Sequence, residues 1–474
     1  MERKSKYPYV KASVLFMTGA LCGSVFATIL AGIFRRRNND RLEERSIKKR
    51  QIFDPNPRGQ SPLSVYHLEA LARDRLRTFI WKYISYESGK ILKSARLNLS
   101  KTTSWKVCPR ILVSRKKALS TSTTIFGKKL TAPLLVAPTA FHGLLHRGGE
   151  AATGHGVGAA GCGYCYNFSL ANVGAKDMIQ SFEKGRGSKD REGTRWAHVY
   201  IWKNREYVLW TLKEAERLGF DAVIVTCDHP HDRVKEATMP IFEPHENDRI
   251  YFDDGGDDVT KDTADDMRLG ETLVEVMRFA NLEKYKREKK KKTHQVDSSS
   301  AGDTDHSLTF DDLAWVCRNT KLPVVAKGIL SPKDAILAAS AGCRGICVSN
   351  HGKRQMDADF VLSAMEALPG IVATLKDQNL LSSNGGEDGR MVVLVDTGFR
   401  TGMDVLLATA LGAHAVLLGR PVLWGLAAGG KEGVRYVFDR IRDELRHEMA
   451  STGAGSIEKL RTEGRGKFLV RSSP

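Results

Sequence analysis

The sequence predicts an α/β chain, a (β/α)8 TIM barrel preceded by an amino-terminal transmembrane helix. Three observations carry that expectation. Eight short apolar runs alternate with helix-length segments. Polar residues, glycine among them, end nearly every run at its carboxyl side, where a barrel of this class builds its site. One uncharged stretch near the amino terminus is long enough to cross a bilayer.

That stretch, Ala12 to Phe34, contains no charged residue, and as a helix it spans the roughly 30 Å hydrocarbon layer. A cleaved signal peptide would have a shorter apolar core, and no small-x-small cleavage site follows. Four basic residues precede it (Arg3, Lys4, Lys6, Lys11) and eight follow between Arg35 and Arg50. The heavier side stays cytosolic by the positive-inside rule. Residues 1–35 therefore read as a single-pass membrane anchor, 36–62 as a basic, polar linker, and the catalytic body as cytosolic; a mitochondrial inner-membrane anchor is the alternative. The same flanks explain much of the charge, since Met1 to Arg50 contribute +8 of the net +18. No basic run interleaved with aromatics occurs elsewhere, so no nucleic-acid partner is expected.

Eight cysteines in 474 residues are too few for a disulfide scaffold. Cys227, Cys343 and Cys347 lie in or beside apolar runs and read as free thiols of a reducing compartment. Cys162 and Cys165 form a C-x-x-C without a second cysteine pair or a suitably spaced histidine pair, so they read as two small core residues and no metal is expected.

Residues 63–474 form the barrel unit. It opens on an amphipathic segment, Leu63 to Ile84, read as one or two helices. The eight runs follow: Pro133 to Ala140, Tyr164 to Phe168, Trp196 to Ile201, Ala222 to Cys227, Pro323 to Ile329, Gly345 to Ser349, Val392 to Asp396 and Ala415 to Leu418. Helices such as Arg205 to Leu218 and Pro332 to Ala341 separate them. An open doubly wound sheet usually has fewer strands and a G-x-G-x-x-G after the first, which is missing here. One stretch breaks the pattern, from about Glu243 to Asp305. It carries D-D-G-G-D-D and K-R-E-K-K-K-K blocks, and like-charged blocks do not join a packed core, so a mobile, solvated insertion is expected.

The strand ends collect the chemistry. They offer Pro138, Thr139 and Ala140; His198 and Tyr200; Thr226 and Asp228; Lys327; Ser349 to Gln355; Asp396, Thr397, Gly398, Phe399 and Arg400; and Gly419 with Arg420. In the last two loops glycines let backbone N–H groups approach a phosphate, and Arg400 and Arg420 add charge-assisted hydrogen bonds, so a phosphate-bearing ligand is implied. His351 is suited to take a proton near neutral pH. Arg354 has the fork geometry for a carboxylate, and Asp228 has the chemistry to orient the imidazole and stabilise its protonated form.

Together, A-P-T-A (Ala137 to Ala140), L-P-V-V-A-K-G (Leu322 to Gly328), V-S-N-H-G-K-R-Q (Val348 to Gln355), D-T-G-F-R-T-G-M-D-V (Asp396 to Val405) and L-L-G-R-P (Leu417 to Pro421) resemble the FMN-dependent 2-hydroxy-acid dehydrogenase and oxidase family, from about Leu63 to Leu460. The family includes glycolate oxidase, lactate oxidases and the flavin domain of flavocytochrome b2. The resemblance implies FMN as cofactor, with its N5 edge near Pro138, Thr139 and Ala140, Lys327 near N1, and Thr226 and Ser349 on the ring or ribityl chain. Its phosphate would rest on Gly398, Arg400, Gly419 and Arg420. His351 would be the base, Arg354 would bind the substrate carboxylate and Tyr200 the substrate oxygen.

Four positions depart from the family pattern. Ser85 stands where a carboxylate-binding tyrosine is expected, with Tyr83 and Tyr86 nearby; Lys235 stands for the second carboxylate-binding arginine. His198 replaces a glutamine and Asn167 a serine, both flavin contacts. These departures imply a small-molecule substrate other than glycolate or lactate, larger or without a simple carboxylate. Two further readings stay open: a flavin enzyme acting on a non-carboxylate alcohol or carbon–nitrogen substrate, and a flavin-binding scaffold without turnover. The sequence leaves the electron acceptor and the oligomeric state undecided.

Overall fold

The computed structural model describes residues 64–76, 78–86, 104–110, 119–188, 192–228, 279–293, 305–355 and 360–471. Helices Val65–Arg75 and Thr78–Ser85 come first. Three short strands follow: β1 (Trp105–Val107), β2 (Thr123–Ile125) and β3 (Lys128–Leu130). Then come the eight expected barrel strands, β4 (Leu134–Thr139), β5 (Gly163–Asn167), β6 (Thr194–Val199), β7 (Ala222–Thr226), β8 (Val324–Ile329), β9 (Gly345–Val348), β10 (Val392–Val395) and β11 (Ala415–Leu418). They close in chain order, β11 pairing with β4, and every barrel pairing is parallel. The chain ends on β12 (Leu469–Arg471), antiparallel to β1, while β2 and β3 form a hairpin.

Alternation along the strands divides the interior into two cores, because successive side chains point to opposite faces. Leu135, Cys165, Trp196, Ile224, Val325, Cys347, Leu394 and Leu417 fill the barrel. Leu134, Val136, Tyr164, Tyr166, Ala197, Val223, Val225 and Val393 face the helices. Cys162 and Cys165 fall one in each core, which bears out their reading as structural residues and explains why the C-x-x-C spacing brings no thiols together.

The connecting helices start where their sequences supply caps. Ser331 accepts from Asp334 N–H with Pro332 in the first turn of Pro332–Ser340. Thr309, Ser363 and Thr401 each form a reciprocal capping box, with Asp312, Glu366 and Asp404. Helix Arg205–Arg217 begins at Asn204, whose side chain accepts from Tyr207 N–H.

Of the charged insertion, residues 243–278 and 294–304 lie outside the described residues, and nearly all of the rest is helical. The lysine-rich block lies on an ordered helix, Ala280–Thr293. Leu282 and Tyr285 are buried on its inner face, Tyr285 stacks near Tyr207 and Trp210, and Lys284 pairs with Glu214. Buried Asn281 accepts from Ala175 N–H and donates to Tyr166 Oη and the Phe168 carbonyl. A like-charged block docks when apolar residues recur at i and i+3 beneath it and acidic groups on the neighbouring helix meet its lysines. No helix among the described residues is long and apolar enough to cross a membrane; Ala12 to Phe34 lies outside the described residues.

His414, 3% exposed, accepts from Val393 N–H at Nδ1 (3.0 Å) and donates from Nε2 to the Ser382 carbonyl (3.1 Å). Accepting at Nδ1 needs the neutral ring, and burial, reinforced by nearby Arg461, holds its pKa down to about 3. Unfolded histidine titrates near about 6.5, so between these values only the unfolded chain binds the proton, and stability falls as pH falls. Denaturant unfolding between about pH 7.5 and about pH 5 should show this loss, up to about 1.4 kcal/mol per pH unit from this residue. A His414→Asn variant should be less stable but lack that share of the slope; identical slopes would contradict the assignment.

Candidate active site

The inward parity of the barrel continues past its apolar core into a polar layer. Two residues beyond Cys165, Trp196, Ile224, Val325, Cys347 and Leu394 stand Asn167, His198, Thr226, Lys327, Ser349 and Asp396. One more step along the same parity gives Tyr200, Asp228 and His351. Six strands, β5 to β10, thus deliver side chains to one mouth, and the switch from apolar to polar marks its floor.

The floor is an ionic cluster. The Lys327 ammonium, 5% exposed, lies 3.7 Å from Asp228 Oδ1 and 3.6 Å from Asp396 Oδ2. Asp228, 1% exposed, accepts from His351 Nδ1 at 2.9 Å. Burial pushes the Asp228 carboxyl up, but Lys327 and His351 outweigh it and leave the pKa below its ordinary value. Burial works against the Lys327 charge too, and Asp228 and Asp396 reverse it, raising the lysine pKa. An ionised carboxylate only accepts, so His351 carries its proton on Nδ1 and Nε2 is the basic nitrogen. Asp228 Oδ2 is buried without a hydrogen-bond partner among the described residues.

Backbone geometry sets these groups. β8 bulges between Lys327 and Ile329, and Gly328 at the bulge has φ +114°. A Cβ there would sit 2.5 Å from Asp228 Cβ, so glycine is what allows the two strand ends to meet. The loop after β9 holds His351 at φ 55°, Gly352 at 68° and Lys353 at 63°. His351 N–H donates to Ser349 Oγ, Gly352 N–H to Thr397 Oγ1, and Lys353 N–H to Asn350 Oδ1. Those bonds hold the left-handed conformations that turn the imidazole toward Asp228.

On the outer wall Arg354 lies over the rings of Tyr83 (4.9 Å) and Tyr86 (5.6 Å). Ser85, between them in sequence, donates its hydroxyl to the Trp81 carbonyl of its own helix at 2.6 Å. Tyr83 also meets Phe141 edge-on, and Phe141 meets Phe279. Tyr200 packs between His198 and Trp202, and burial raises its pKa.

Where β10 and β11 end, Arg400 and Arg420 gather two guanidinium groups. Arg400 stacks on Trp424 at 4.6 Å and donates to the Phe399 carbonyl; Arg420 donates to the Gly352 carbonyl. Burial and then the neighbouring Arg420 charge hold the Arg400 pKa down to about 10. Beside them begins the helix Arg420–Thr452, whose N-cap Gly419 supplies no side-chain cap. Two like charges at an uncapped helix start favour a phosphate.

The residues present fit FMN. Among the described residues the buried Lys327 ammonium is met by two carboxylates at ion-pair distance, and its N–H groups suit the anionic edge of a reduced flavin ring. The arginine pair suits the phosphate. The structure joins Asp228, His351, Lys327, Asp396, Thr397, Ser349, Thr226 and His198, the last two through a 2.8 Å bond. Thr139 bonds buried His142 at 2.7 Å. Some expected contacts go elsewhere: Asn167 Oδ1 accepts from Leu170 N–H in its own loop, and the Phe399 ring enters the outer core. Lys235 lies outside the described residues. Trp424 and His142 were not among the expected residues. His142 acts through Thr139, three residues earlier, and Trp424 through Arg400, 24 residues earlier, and only the position of Trp424 one turn after G-R-P signals it.

Comparisons with known proteins agree with this geometry. A family model described as FMN-dependent dehydrogenase matches residues 72–465. Similar curated proteins include L-lactate oxidase of Nostoc sp., 31% identical, with 85% of this chain and 97% of the relative covered. They also include 2-hydroxyacid oxidase 1 of Homo sapiens, 31% identical over 80% and 88%, and glycolate oxidase of Spinacia oleracea, 31% identical over 84% and 94%. Among solved structures, the crystal structure of mandelate oxidase is similar with TM-score 0.63 at 30% identity, covering 85% of this chain and 97% of that one.

Gly328→Ala tests how the cluster is assembled. The added methyl meets Asp228 and the left-handed φ is strained, so the variant should lose roughly 2–4 kcal/mol of unfolding free energy. Wild-type stability by denaturant titration would show that Asp228 tolerates displacement.

Proposed function

The chain belongs to the FMN-dependent dehydrogenase family, and from that premise we propose that it oxidises a 2-hydroxy acid to the 2-oxo acid with His351 as base. The observation that carries the reading is the 2.9 Å bond from His351 Nδ1 to Asp228, beside the buried Lys327. FMN, when bound, supplies the two-electron acceptor.

The formal charges of Lys327, Asp228 and Asp396 sum to minus one with neutral His351 and to zero once Nε2 takes a proton. Proton uptake by the imidazole therefore relieves the cluster, and Asp228 holds the imidazolium in place. Lys327 would lie against the anionic edge of the flavin, with Thr226, Ser349 and His198 around the ring and ribityl chain and the 138–140 backbone along its other edge. Gly398, Arg400, Gly419 and Arg420 would hold the phosphate. Arg354 would bind the substrate carboxylate and Tyr200 the substrate oxygen, with Lys235 completing the clamp.

The substrate is larger than glycolate or lactate in this reading. Ser85 bonds within its own helix, and Tyr83 and Tyr86 flank Arg354 in its place, so the clamp is rebuilt with aromatic walls beside Phe141. Anaerobic bleaching of the flavin by a panel of 2-hydroxy acids tests both claims. Larger acids should bleach it faster than glycolate or lactate, and His351→Ala should keep the flavin spectrum while losing roughly 10²–10⁴ in bleaching rate. Undiminished bleaching in the variant would remove His351 from the role of base; ready bleaching by glycolate would remove the size argument.

We also propose that residues 1–35 anchor the protein, with the catalytic body on the cytosolic side; the uncharged run Ala12 to Phe34 and the eight basic residues after it support this. Carbonate-washed membranes should retain the full chain and release one lacking residues 1–35. Release of both would refute the anchor.

A further inference from the structure

We propose that Cys317 and Cys343 form an oxidisable dithiol, a modification site at the amino-terminal end of β9 that a hydroperoxide converts to a disulfide. Cys317 lies in the last turn of helix Phe310–Arg318, and Cys343 two residues before β9. Their sulfurs are 3.8 Å apart, and among the described residues no other pair of thiols is in contact. The sequence motif that suggests redox chemistry, C-x-x-C, is split between two cores, whereas this pair, far apart in sequence, is brought together by the fold.

The two thiols are inequivalent in the way such a reaction needs. Cys317 is partly exposed and Cys343 is 4% exposed, so an oxidant in solution meets Cys317 first. A hydrogen bond from Cys343 favours the Cys317 thiolate; burial opposes it and Arg318 assists, and the net pKa is lowered. The same bond, with burial, raises the donor Cys343. A thiolate is the nucleophile, so Cys317 is the attacking group and Cys343 the resolving one.

Gly342 between helix Pro332–Ser340 and Cys343 has φ +95°, and a Cβ there would stand 3.4 Å from Cys317 Cβ, so glycine leaves that side open. The sulfurs need to approach by less than about 2 Å to reach bonding distance. The reaction balances: Cys317 sulfur attacks the peroxide O–O bond and becomes a sulfenic acid, releasing one water from hydrogen peroxide. Cys343 sulfur then attacks Cys317 sulfur, the S–O bond breaks, and the second water leaves. Two thiols lose two protons and two electrons, and the peroxide is reduced to water. The closed loop, residues 318–342, contains β8 and with it Lys327, so oxidation ties down the strand that carries the buried ammonium.

The test treats the full chain with hydrogen peroxide and maps peptides without reduction. The expected product is a Cys317–Cys343 cross-link, reversed by dithiothreitol and accompanied by a higher melting temperature. Cys343→Ser should stop at a Cys317 sulfenic acid that dimedone traps, with no rise in melting temperature. Cys227, the exposed thiol beside Asp228, is the competitor. Oxidation of Cys227 while Cys317 and Cys343 both remain alkylatable in the unfolded protein would overturn the proposal, and so would a Cys317 cross-link to any other cysteine. The wild-type peptide map decides this whether or not the variant folds.

Discussion

Lys327 brings an ammonium, 5% exposed, to the floor of the barrel mouth, and burying such a charge costs several kcal/mol unless opposite charges accompany it. Asp228 and Asp396 answer that cost from the flanking strand ends, at 3.7 and 3.6 Å. Two carboxylates overcompensate one ammonium, and the imidazole of His351 joins the cluster through Asp228. The electrostatics of the site therefore start from one buried lysine, and its neighbours are intelligible as responses to it.

The barrel is suited to bearing this load because its pleat separates structural from chemical duties. The inward face is apolar through Leu135, Cys165, Trp196, Ile224, Val325, Cys347, Leu394 and Leu417, then turns polar at the next inward position of β5 to β10. Tight packing below holds the polar layer in register, so the charges keep their spacing without mobile side-chain partners. Where ideal strands would hold Lys327 and Asp228 apart, the β8 bulge at Gly328 draws them together. Strained backbone at His351 and Lys353 is maintained by three hydrogen bonds from the same loop.

The arginine pair, helix start and lysine fit FMN. Around Arg354, Ser85 is satisfied by its own helix, and tyrosines on either side flank the guanidinium. Phe279, at the edge of the ordered lysine-rich helix, reaches the same aromatic group through Phe141. The insertion thus touches the wall of the mouth, a relation that charge composition gave no reason to expect.

The strand runs, their order and the polar residues ending them were legible in the sequence, because period-two burial and capping chemistry are local properties. His351, Asp228, Lys327 and the arginine pair could be collected for the same reason: the parity that buries Val325 points Lys327 to the mouth. What the sequence could not determine was distance. The Asp228 contact to His351 spans 123 residues and the Cys317–Cys343 contact 26, and local pattern carries no term for either. The docked face of Ala280–Thr293 was hidden because composition averages over a helix, whereas packing depends on the few residues at one face. Closure of the barrel decided these contacts by setting which strand ends and helix ends become neighbours.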